Sequence, residues 1–166
     1  MNNKYQNQEI VRLGKKEYIY LDTLPVLAIQ IARKHNIDIE DLKLKFALVD
    51  PEIRPAVAGQ CMLVKGQHKL LTDVDYLITF SEIVWDSINE EQRELLMLHE
   101  LMHIFKDYDN DGNLKLKLAR HDVQDFRYLI KQYGVDWIHA IEDVKEIMDA
   151  YKKALEEKKS KKKENE

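Results

Sequence analysis

The spacing of apolar residues changes period several times along the chain, and each change predicts an element. Leu24, Leu27, Ala28, Ile31 and Ala32 recur three and four apart, behind Asp22 or Thr23 as a cap and with Pro25 in the first turn. That is an amphipathic helix running to Lys34. Leu42, Leu44, Phe46 and Leu48 alternate with Lys43, Lys45 and Ala47, the period of a strand, which stops at Asp50-Pro51. After a turn between Pro51 and Pro55, residues 56–64 read as a second strand with Gly59 as a bulge, and residues 65–68 as a turn. Residues 76–80 read as a third strand, and residues 81–88 as a short helical turn carrying Trp85. Residues 10–20, apolar and basic around Gly14, read as a strand or an extended arm.

The densest apolar run, residues 95–105, predicts the central helix. Asn89 can cap it, Gln92 completes a capping box, and Glu90 and Glu91 complement the dipole of the first turn. Leu95, Leu98, Met102 and Phe105 form its apolar stripe, widened by Leu96, Leu101 and Ile104.

Inside this run stands His99-Glu100-Leu101-Met102-His103. Positions i and i+4 share one helix face, so two imidazoles can meet one metal ion. Glu100, beside the first ligand, can reach a water on that metal, the arrangement of a zinc hydrolase with a glutamate general base. A core helix whose histidines bond backbone carbonyls is the plainer alternative. Capping, burial and spacing together favour the metal, because two histidines and a glutamate are costly to desolvate without a partner.

A catalytic zinc takes three protein ligands and leaves a fourth position for water. The extended metzincin pattern does not supply the third, since its glycine position holds Lys106 and its histidine position Asp109. His121 is the expected third ligand, brought back by polar residues 107–113 and a new helix starting near Leu118, with Asp125 or Glu142 as carboxylate alternatives. Asp122 and Asp125 are candidates to orient His121, and Arg120, Tyr108 and Tyr128 to stabilise an oxyanion. His35, His68 and His139 stand alone. The element order fits a zincin, an α+β fold with a small mixed sheet packed on the active-site helix and further carboxyl-terminal helices. In that architecture residues 76–80 either line the cleft edge and pair with an extended substrate or form an interior strand.

The segment from Tyr76 to Phe126 resembles a known family. It carries Tyr76-Leu-Ile-Thr-Phe80, Trp85-Asp86, His99-Glu100-Leu101-Met102-His103-Ile104 and Arg120-His121-Asp122-Val123-Gln124-Asp125-Phe126. These residues resemble the phage-type metallopeptidases of bacteria and their viruses and, more distantly, the SprT-like zinc proteases. The resemblance implies a zincin fold, zinc on three histidines and Glu100 as the base. The cysteine-rich ribbon that often follows a SprT-like core has no counterpart here, since Cys61 is the single cysteine.

Composition narrows the rest. With 166 residues, 45% hydrophobic and 34% charged, the chain suits one soluble domain. The net charge of −4 hides an asymmetry: residues 152–166 carry +3 and residues 1–151 carry −7. The expected organisation is therefore a single domain over residues 1–151 and a lysine-rich tail over 152–166, with nucleic acid touched at most weakly through the tail. No secretion signal or membrane-spanning run is visible, so a cytoplasmic location is expected. Asp107-x-Asp109-x-Asp111-Gly112 matches half of a calcium loop, but its twelfth position is Leu118, and an Asx-rich turn explains it better. Trp137, Ile141, Val144, Met148, Tyr151 and Leu155 are spaced as a coiled-coil seam. A helix packed on its own domain is the first reading, and a homodimer or a partner protein held through this helix the other.

Two function classes follow. One is a zinc peptidase acting on peptides or proteins; the other is a non-catalytic protein stapled by the metal that acts through its carboxyl-terminal helix. A calcium-responsive module is argued against by Leu118.

Overall fold

The computed structural model describes residue 5, residues 8–51, residue 53 and residues 57–121. Gly14, at φ +63°, turns β1 (Glu9–Leu13) back onto β2 (Lys16–Tyr20), so the amino-terminal arm is a hairpin. The helix α1 (Thr23–His35) follows and stops where Asn36 enters the left-handed region. It buries Leu24, Ala28, Ile31 and Ala32, the face that the period picked out.

Next come β3 (Leu44–Asp50), β4 (Gly59–Leu63), α2 (Gly66–Thr72), β5 (Tyr76–Ser81), α3 (Glu82–Ser87) and α4 (Glu90–Met102). The turn expected at residues 65–68 is the start of α2. This helix buries none of its residues and leaves Leu70 and Leu71 exposed, so it has no apolar period to betray it. It is tied down by Lys69, whose ammonium pairs with the buried carboxylate of Asp75. Asp75 also accepts from the Lys43 amide at 2.9 Å and donates its own amide to the Lys43 carbonyl at 2.7 Å, which fixes the start of β5 beside β3.

The sheet has the order β1-β2-β3-β5-β4, with β3 and β5 parallel and the other neighbours antiparallel. β5 therefore lies inside the sheet and β4 at its edge, which corrects the expectation that residues 76–80 could line a cleft edge. The reason is in the side chains: Tyr76, Ile78 and Phe80 are buried on one face and Thr79 and Ser81 on the other. A strand with both faces covered reads as a near-continuous apolar run. β4 pairs with β5 one residue to one, Gly59 opposite Phe80, so Gly59 is not a bulge.

One face of the sheet, led by Phe46, Leu48, Tyr76, Ile78 and Phe80, meets α1 and α4 in the core. Met97, Leu98 and Leu101 of α4 are fully buried there. Each contributes about 1.5–3 kcal/mol of apolar burial as an upper bound. The Phe80 and Trp85 rings pack at 4.7 Å between centroids.

α4 ends at Met102, short of the residue 105 expected, and the new helix expected near Leu118 is a strand. β6 (Ile104–Tyr108) and β7 (Leu114–Leu118) form a separate antiparallel hairpin with Ile104 opposite Leu118. Leu114, Leu116 and Leu118 alternate with Lys115 and Lys117, a period of two that marks a strand. Asp109 closes the hairpin as an Asx turn, accepting from the amides of Asp111 at 3.0 Å and Asn113 at 2.8 Å, while Lys117 pairs with Asp107. These bonds use two of the three carboxylates that a calcium loop would need, Asp107 and Asp109. Among the described residues no helix is long and apolar enough to cross a membrane. The tail, the coiled-coil seam and the carboxyl-terminal helices lie outside the described residues.

Candidate metal centre

The site is built at the carboxyl-terminal end of α4. The start of that helix is fixed as expected: Asn89 accepts from the Gln92 amide and Gln92 returns a bond to the Asn89 amide, both at 2.9 Å. His99 lies in the last turn and His103 is the C-cap. Helix carbonyls leave partial negative charge at this end, which favours a cation.

The chain then runs out along β6, back along β7, and returns to the helix end. The Ala119 amide donates to the His103 carbonyl at 2.8 Å, and His103 Nδ1 lies 2.8 Å from the Ala119 carbonyl oxygen. A carbonyl oxygen can only accept, so Nδ1 carries the proton and Nε2 keeps its lone pair. The hairpin itself is held by Tyr76, fully buried in β5, whose hydroxyl donates to the Lys117 carbonyl at 2.7 Å with the Phe105 carbonyl at 3.3 Å.

This route places His121 over the other two histidines. Its Nε2 lies 3.1 Å from His99 Nε2 and 3.2 Å from His103 Nε2. The ligand atoms of all three lie within 4.8 Å of one another. A tetrahedral zinc with bonds of about 2.0–2.1 Å sets its nitrogens about 3.3–3.4 Å apart, so the donor set fits such an ion. A proton can bridge one pair of these nitrogens, whereas a cation engages all three.

Glu100, next to His99 on the helix, faces into the protein and is 3% exposed. Burial pushes its carboxyl up to about 7, against the opposing pull of His99 and of the Cys61 amide that donates to it. β4 passes directly over it: a Cβ added at Gly59 would come within 2.6 Å of Glu100 Oε1. The half-buried Cys61 thiol is pushed far up, by burial first and by Glu100 second, which suits the packing role expected of it.

Of the other candidates, Arg120 is exposed beside His121, and Tyr108 ends β6 at the far end of the hairpin. His68 is exposed on α2, and His35 is half-buried at the end of α1. Asp122, Asp125, Tyr128, His139 and Glu142 lie outside the described residues. Sequence reasoning missed Gly59, Tyr76 and Ala119. For Gly59 there was a signal, since a glycine inside a strand can mark a close approach as well as a bulge.

A protein family described as putative phage metallopeptidase matches residues 16–152. The chain belongs to this family. Membership implies a metal ion and a peptide or protein substrate, and the three histidines are a group able to hold that ion. No curated protein and no solved structure matches the chain.

Proposed function

We propose that the chain is a zincin-like, zinc-dependent peptidase in which His99, His103 and His121 hold one zinc ion and Glu100 is the general base. The observation that carries this reading is the convergence of three imidazole nitrogens at the end of the helix that buries Glu100. Three nitrogen ligands with a fourth position left to solvent or substrate are the donor set of a catalytic zinc. When bound, zinc supplies Lewis acidity, polarising the peptide carbonyl and lowering the pKa of a water from about 15.7 towards 7.

The chain's own residues do the rest. The Glu100 carboxylate takes the proton of the attacking water and passes it to the nitrogen of the departing amine. Its burial favours the protonated form, which makes it an effective donor in that second step. His103, bonded through Nδ1 to Ala119, is held in the tautomer that presents Nε2 to the site. β4 takes the substrate-pairing role first considered for residues 76–80. It is the outermost strand of the sheet and packs on α4; the Cys61 amide is taken by Glu100, and the strand's other outward groups are the ones an extended peptide would pair with.

The same reading takes residues 1–151 as one domain with a charged tail over 152–166, in the cytoplasm. The experiment is cleavage of a random decapeptide library by the zinc-loaded full chain beside Glu100→Gln. Cleavage by the wild type and a loss of about 10²–10⁴-fold in the variant at equal zinc content supports the reading. Equal cleavage by both removes Glu100 from the reaction.

A further inference from the structure

Gly59 sits in ordinary strand conformation, unlike Gly14, Gly66 and Gly112, which have positive φ. Backbone freedom therefore does not call for glycine at this position. Space does. A Cβ there would stand 2.6 Å from Glu100 Oε1 and 3.1 Å from both Cδ and Cγ. Rotating the carboxylate clears the oxygen but leaves Cγ where it is, so the rest of the side chain must also give way slightly. Glu100 has little room for that, being 3% exposed and flanked by the fully buried Leu101 on a helix whose core face is packed. Two residues further along β4, the Cys61 amide donates to the same carboxylate.

We infer that Gly59 is a positioning residue, which with the Cys61 amide forms a backbone seat in β4 that sets where the Glu100 carboxylate lies. The inference deepens the peptidase reading and rests on Glu100 being its base. β4 is also the outermost strand of the sheet and packs on α4, so the strand that seats the base lies beside the metal centre. The three nearest atoms to a Cβ at residue 59 all belong to Glu100.

The test is a cycle of Gly59→Ala, Glu100→Ala and the double variant in the full chain. Thermal midpoints of the metal-free proteins are measured first. Gly59→Ala lowers the midpoint by roughly 2–10 °C when Glu100 is present, and has no effect when Glu100→Ala has removed the three crowded atoms. Hydrolysis is then followed on a decapeptide that the wild type cleaves: Gly59→Ala lowers kcat by roughly 10–100-fold with KM and zinc content unchanged. An equal midpoint loss in both backgrounds overturns the seat, as does an unchanged kcat. Midpoint coupling among the metal-free proteins, together with a zinc-loaded wild type that cleaves no peptide, overturns the base reading instead, and Gly59 is then a packing residue with no part in a reaction.

Discussion

His103 and Ala119 are bonded to each other twice, the Ala119 amide to the His103 carbonyl and His103 Nδ1 to the Ala119 carbonyl, both at 2.8 Å. One contact thus caps the helix, chooses the His103 tautomer and fixes the chain two residues before His121. The helix end and the third histidine are a single structural unit, and its rigidity depends on what holds the β6–β7 hairpin.

That anchor is Tyr76. Tyr76→Phe keeps the ring in the core and removes the hydroxyl that bonds the Lys117 carbonyl. We expect a stability loss of about 1 kcal/mol and zinc binding weakened about tenfold, read by thermal unfolding and by competition with a chelator. Unchanged zinc affinity would mean that the hairpin does not set the position of His121.

The helix of the motif was legible because its signals are local. Asn89 and Gln92 are three residues apart, and the apolar stripe is continuous. The route to His121 was not, because Ile104 and Phe105 extend the helical stripe in sequence while the fold ends the helix at His103 and pairs Ile104 with Leu118. The alternation of Leu114, Leu116 and Leu118 was the missed signal. The place of each strand in the sheet was harder still. Whether β4 or β5 forms the edge is decided by pairing between residues 13 to 21 apart, and only the double-faced burial of β5 hints at it. That three histidines meet could be anticipated; that Gly59 covers Glu100 depends on that same pairing.

Asn89→Ala removes one half of the reciprocal cap of α4. A cost of about 1 kcal/mol is expected, with a midpoint about 2–4 °C lower and the zinc content unchanged at saturation. Loss of zinc at saturation would show that fraying reaches from the first turn to the last.

Asp75 gives a pH signature. Burial alone would raise its pKa, but the Lys43 amide and the Lys69 ammonium outweigh burial and hold it below the ordinary carboxylate value. A group depressed in the folded state adds stability above its unfolded pKa of about 3.9, and that stability is lost as pH falls through the folded value. Urea midpoints should therefore fall between pH 5 and pH 3, and Asp75→Asn should flatten that fall while lowering the midpoint at pH 7. An unaltered slope in the variant would assign the acid sensitivity to other carboxylates.

Removing the metal should destabilise the fold, because a cation on three histidines binds the folded chain and not the dispersed one. Dialysis against a chelator is expected to lower the thermal midpoint, and added zinc to restore it in proportion to the logarithm of its free concentration. A midpoint indifferent to zinc would argue against a site at the end of α4.

The most direct measurement is the zinc content of the full chain, purified without a metal-affinity tag, beside that of His121→Ala in the same buffer. One zinc per wild-type chain and its loss from the variant is the result the three-histidine site predicts. A variant that keeps its full zinc, or a wild type that neither carries nor takes up the metal, would contradict it.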